Sequence, residues 1–165
     1  RSTPTAGTRA SSPMRSAEAL FLTILLGCAA AAGADCAPLV FEGDGIPAPL
    51  LGLEGDPVRG REVATAADRG DCTICHGLPV EAPDPRFHGN VGPPLHGVGA
   101  RLTAAQLRAR IAAPKRLDPH TVMPAYCETG HRWRVVSDQV GEPILSAGEI
   151  EDLVAWLTTL RGEPS

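Results

Sequence analysis

Cys72-Thr73-Ile74-Cys75-His76 is the stretch that decides how this chain folds. Two thiols at this spacing can each bond a vinyl group on one edge of a porphyrin, and the histidine after the second then lies under the ring. That pattern, C-x-x-C-H, is the one used for c-type haem attachment. Two other chemistries also use cysteine pairs. A zinc half-site wants a second Cys or His pair at comparable spacing, and a thioredoxin-like redox pair wants a βαβ context. Neither accompanies this pair in the sequence. One covalent haem c is therefore expected, attached through Cys72 and Cys75, with His76 as an axial ligand of the iron.

Working upstream, Asp56-Pro57 reads as a helix N-cap followed by proline at the first helical position, leading into VRGREVATAADRG with Gly70 as a stop. Downstream, residues 77–100 hold five glycines and five prolines, which predicts a wrapped loop. Thr103 and Gln106 form a capping box for a second helix that runs to Pro114, and Ser146 and Glu149 form another. After the latter, Ile150, Leu153, Val154, Leu157 and Leu160 make an apolar stripe at helical spacing. No strand alternation survives beyond a few residues. The fold class expected is all-α, with helices at both ends of the domain and loops around a cofactor.

A haem iron with a protein ligand on each face needs a partner for His76. Met123, in Thr121-Val122-Met123-Pro124-Ala125-Tyr126, places a thioether in a loop before a rigid proline, and such a ligand raises the reduction potential. Against this stands a role as a core gap-filler, with His88, His96, His120 and His131 as competing ligands.

The N-terminus speaks to the compartment. From Met14 a positive charge at Arg15, an apolar run from 19 to 32 and the small-x-small site Ala32-Gly33-Ala34 read as an export signal over 14–34. Leu25-Leu26-Gly27-Cys28 offers the rival reading of a lipoprotein box. A periplasmic product is expected, with an extended arm over 35–54, rich in Gly and Pro, ahead of a domain over 55–162. In an oxidising compartment Cys36 and Cys127 are expected to pair, although Cys127 is also open to being a ligand or a sulfur-carrying thiol.

The 131 residues from Asp35 onward carry 12 Lys and Arg against 18 Asp and Glu, so nucleic acid is excluded as a natural partner. They hold only five aromatics, and a buried porphyrin would supply the missing core volume. Charge is uneven: residues 85–117 have six bases and no acid. Arg101, Arg108, Arg110 and Arg116 are expected either to dock a partner through fork-shaped contacts or to lie solvated over apolar surface.

A helix before the CxxCH and a C-terminal helix bearing Trp156 resemble the class I cytochrome c fold. Gly92-Pro93-Pro94-Leu95-His96-Gly97 is similar to that fold's G-P-x-L-x-G segment, which implies that the Pro93 carbonyl accepts a hydrogen bond from His76. GDPVRGREVA, GDCTICHGLP, GNVGPPLHGVGARLTAAQLRARI, HTVMPAY and GEPILSAGEIEDLVAWLTTLR together resemble SoxX, the monohaem subunit of the SoxAX cytochrome of bacterial thiosulfate oxidation. The resemblance implies His76 and Met123 as the iron ligands. It also implies a role as the electron-transfer subunit of an L-cysteine S-thiosulfotransferase, with no substrate chemistry at this haem. The partners implied are a catalytic SoxA subunit, a sulfur-carrier protein whose cysteine is conjugated to thiosulfate, and a small soluble cytochrome c that takes the electrons. Two other functions fit the residues: a free monohaem electron carrier, and a haem enzyme or sensor with an open sixth site.

Overall fold

Each long helix starts where the chain supplies an acceptor for its first N–H groups. The Asp56 carboxylate accepts from the Val58 and Arg59 amides at 2.8 and 3.3 Å and opens α1 (Pro57–Thr65). Thr103 and Gln106 make the reciprocal capping box of α3 (Ala104–Ala112), and Ser146 and Glu149 make that of α4 (Ala147–Thr159). The computed structural model describes residues 36, 38–80, 89–129 and 141–162. All of them belong to one compact unit, residues 31–165. The expected signal segment with Cys28, and Arg86, Phe87, His88, His131 and Trp133, lie outside the described residues.

The chain is all-α: the described residues contain helices and no strand, only an isolated bridge between Glu42 and Gly45. Two local expectations change. The loop expected over 77–100 contains a one-turn helix, α2 (Val98–Arg101), because the Val98 carbonyl finds the Leu102 amide at 2.9 Å. The first helix ends at Thr65 rather than running to Gly70. Its last residues give way to turns whose amides fold back, Gly70 N–H onto the Val63 carbonyl and Asp71 N–H onto that of Ala66.

The core is where α1 packs on α4. Gly60 makes this approach possible: a Cβ there would overlap the Asp152 carbonyl and stand 2.9 Å from the Trp156 Cβ. Ile150, Leu153, Val154, Trp156 and Leu157 of α4 are buried, as are Val63 and Ala64 of α1 and Leu107 and Ile111 of α3. Two α4 acids are buried among them. Asp152 accepts from the Asp56 amide at 2.6 Å and from the Arg59 guanidinium at 2.9 and 3.0 Å. Glu151, 3% exposed, takes a two-pronged grip from Arg108, itself 4% exposed, at 2.6 and 2.7 Å. It also accepts the Leu50 amide at 2.9 Å, while Arg108 reaches the Ile46 carbonyl at 2.7 Å. A buried charge pair survives only when its remaining hydrogen-bonding capacity is met in this way. The arm is thereby held to α3 and α4 around residues 46–50, with Ile46 and Leu50 in the core.

The arginines expected either to dock a partner or to lie solvated over apolar surface each make specific contacts. Arg108 is part of the core. Arg110 pairs with Asp44 at 3.6 Å, and Arg116 with Glu128 at 3.5 Å while lying over the Phe41 ring. Arg101 donates to the Pro94 and His96 carbonyls at 3.0 and 2.5 Å. Acids distant in sequence fold onto three of these bases, Arg108, Arg110 and Arg116, while Arg101 and Lys115 bond backbone carbonyls.

Candidate haem-attachment site

The attachment motif is a single tight turn. Cys72 to Ile74 form a 3-10 helix in which the Cys75 and His76 amides both donate to the Cys72 carbonyl, at 3.2 and 2.9 Å. In a 3-10 turn residues i and i+3 eclipse, which aligns Cys72 with Cys75, and the α-type bond from the His76 amide to the Cys72 carbonyl draws the histidine in beside them. Asp71 enters the turn at φ +39, a conformation aspartate tolerates better than most residues, and its carboxylate accepts from the Thr73 hydroxyl at 2.8 Å. Burial, with Asp71 nearby, pushes the Cys72 thiol up to about 11.

A second segment straps the turn from outside. The Gly89 amide donates to Thr73 O at 2.7 Å, Gly92 to Cys75 O at 2.8 Å and Leu95 to Gly77 O at 2.8 Å. The next contact orients the imidazole. His76 Nδ1 lies 2.7 Å from the Pro93 carbonyl, and a carbonyl only accepts, so Nδ1 carries the proton and Nε2 presents its lone pair. Gly92 lies against the ring itself: a Cβ at this position would overlap Cε1 and stand 2.6 Å from Nδ1. Arg101, through its bonds to the Pro94 and His96 carbonyls, holds the far end of the strap.

Met123 sits in a third segment, partly buried and packed against the core. Its amide donates to the Thr121 hydroxyl at 3.2 Å. Three residues on, the Tyr126 amide returns to the Ile111 carbonyl, and its hydroxyl reaches the Gly70 carbonyl at 3.0 Å, two residues before Cys72. Burial raises the tyrosine hydroxyl well above its ordinary range, with Cys72 and Cys75 adding to the effect. Cys127 is bonded to Cys36, with Cα atoms 5.6 Å apart, so it is neither a free thiol nor available as a ligand. Of the rival histidines within the described residues, His120 is exposed and His96 half-buried in the strap. Among the described residues no three His, Cys, Asp or Glu side chains gather as a metal cage.

The residues fit a covalently held haem. Cys72 and Cys75 are the free cysteines of the described chain, although the two other cysteines there are joined. His76 has one nitrogen engaged with Pro93, and Gly92 packs so closely on the imidazole that only a residue without a side chain fits there. Sequence reasoning missed two contributors, Arg101 and Tyr126. Nothing local marks Arg101, whose partners are backbone carbonyls, and the only signal for Tyr126 is that it is an aromatic three residues after the methionine.

Helices at both ends of the domain, packed on each other around loops that present a C-x-x-C-H turn, define a class I cytochrome c fold. A chain of the crystal structure of SoxXA from P. pantotrophus superposes on this one with a TM-score of 0.68 at 35% sequence identity, covering 77% of this chain and 97% of the other. The protein belongs to the SoxXA family of cytochromes. Neither family models nor curated proteins give a match.

Proposed function

We propose that this chain is the SoxX-type, monohaem subunit of a SoxAX cytochrome complex, and that it carries one haem c through Cys72 and Cys75 with His76 and Met123 as the iron ligands. The observation that carries this reading is the His76–Pro93 contact at 2.7 Å beside two unbonded cysteines. A hydrogen bond from the far nitrogen of a ligating histidine fixes its tautomer and raises its basicity. When bound, haem c supplies a one-electron iron couple.

The chain's own residues bind and orient. Cys72 and Cys75 attach, His76 holds its proton at Nδ1 against Pro93, and the 89–96 strap covers the turn. Met123 offers a soft thioether, which favours the reduced state. With His76 and Met123 both holding the iron, no position would be left for a substrate, so the subunit's part would be to relay electrons. The SoxXA relationship supports a SoxA-type subunit as the stable partner. In this reading SoxA conjugates thiosulfate to a carrier-protein cysteine, and a small soluble cytochrome takes the electrons away. The export signal read from 14–34 puts the complex in the periplasm.

Purification from the native host, with an inventory of subunits and haems, tests this. A complex with a larger cytochrome, in which this chain carries one haem, is the expected result; a free monomer would favour an independent electron carrier.

A further inference from the structure

We propose that Tyr126 is a positioning residue for Met123: it braces the methionine loop against the haem-attachment segment at a fixed separation, and so governs how firmly the thioether is held on iron. The inference rests on the reading of Met123 as the distal ligand.

The brace is visible at both ends. At its base, the Tyr126 and Cys127 amides donate to the Ile111 and Ala112 carbonyls, both at 3.2 Å. These carbonyls belong to the last turn of α3, where helical acceptors lack partners of their own. The Tyr126 carbonyl in turn accepts the Leu145 amide at 3.0 Å, and Cys127 is bonded to Cys36. The backbone at 126–127 is thus fixed to the helical frame. At its tip, the Tyr126 hydroxyl donates to Gly70 O at 3.0 Å. Gly70 is itself buried and fixed, its amide on the Val63 carbonyl of α1 at 3.1 Å, and a Cβ at Gly70 would lie 3.6 Å from the Cys72 sulfur.

Between them stands an aromatic side chain with two rotatable bonds before the hydroxyl, packed against the core. It is a short strut from the frame beneath the methionine loop to the doorstep of the attachment turn. The other end of the loop is held more loosely. Lys115, exposed, donates to Thr121 O at 2.9 Å, and the Thr121 hydroxyl accepts the Met123 amide at 3.2 Å. Met123 is three residues from Tyr126, with Pro124 restricting the backbone between, so a shift at Tyr126 is transmitted rather than absorbed. The disulfide fixes position 127 to the arm. The phenol spans to the attachment segment, and this bond sets the gap between the two sources of iron ligands.

The test uses the haem-loaded protein and measures how readily added imidazole displaces the methionine from ferric iron. Tyr126→Phe keeps the ring and removes the hydroxyl. Loss of one hydrogen bond of ordinary strength weakens the hold by about 5-fold, so the imidazole dissociation constant is expected to fall by about that factor. The far-red methionine-to-iron band should weaken and the reduction potential should drop. Ile150→Val, a core change in α4 away from the brace, serves as the comparator for plain destabilisation. It should lower the melting temperature without changing imidazole binding. Unchanged imidazole affinity in Tyr126→Phe, or an equal gain in Ile150→Val, overturns the positioning role. Met123→Ala separates the two levels. If it leaves the wild-type spectrum and imidazole affinity unaltered, the ligand assignment falls and takes the brace with it. If it opens the site while Tyr126→Phe does nothing, only the brace falls.

Discussion

The packing of α1 on α4 and the loops around the C-x-x-C-H turn are held by different physics. The helix contact is glycine-spaced and pinned by Asp152, 6% exposed, while Glu151 beside it, 3% exposed, ties α4 to α3 and the arm. The loops are held by single backbone hydrogen bonds between 89–96 and 73–77, with Ile74, Val91 and Val122 exposed on their flanks. The first region supplies stability and the second supplies geometry. Substitutions in the first should therefore change how much protein folds, and those in the second should change what the folded protein does.

The largest effect is expected at the buried pair. Glu151→Ala strands Arg108 in the core and should cost about 3–5 kcal/mol, read by denaturant unfolding. The double variant Arg108→Met with Glu151→Leu should recover most of that loss, since an apolar pair of similar volume removes both charges at once. A double variant as unstable as Glu151→Ala would show that the Ile46 and Leu50 backbone contacts matter more than the charges.

Gly60→Ala comes next. In an exposed helix the change would stabilise by roughly 1 kcal/mol. Here the added methyl meets the Asp152 carbonyl, and a net loss of about 1–3 kcal/mol is expected. The sign alone decides whether α1 and α4 approach as closely as described.

Gly92→Ala probes the other region. It should leave unfolding within about 1 kcal/mol of wild type, because the strap lies outside the core. It should nevertheless displace the His76 ring, shifting the haem absorption spectrum and lowering the fraction of haem-loaded protein. A spectrum identical to wild type would mean that Gly92 does not shape the ligand. The smallest effect belongs to Arg110→Ala, which removes a surface pair at 3.6 Å and should change stability by under about 0.5 kcal/mol. A loss comparable to that of Glu151→Ala would erase the distinction between the core pair and a surface one.

The contrast also explains how much was legible in the sequence. Helix starts were readable because their hydrogen bonds span three residues: Asp56 with Pro57, Thr103 with Gln106, Ser146 with Glu149. The attachment turn was readable because its chemistry is contained in five residues. What joins distant parts was not. The Arg108–Glu151 pair spans 43 positions and the Cys36–Cys127 disulfide 91, and neither partner carries a local mark of the other. The cysteine pairing followed only from the compartment that an export signal suggests. The acids that meet Arg108, Arg110 and Arg116 were hidden for the same reason, since Glu151, Asp44 and Glu128 approach them only after folding. On the site side, Pro93 came from resemblance to a family segment, and the fold brings its carbonyl against His76. Tyr126 was quoted in the methionine motif, yet its reach to Gly70, 56 residues away, needs the fold.

The most direct test of the central claim is the intact mass of the protein made in cells competent for cytochrome c maturation, measured after denaturation so that only covalent groups remain. The mass of the polypeptide plus one haem is predicted, lost when Cys72 and Cys75 are both replaced by alanine. Wild-type protein that folds and runs at the mass of the bare polypeptide would contradict it.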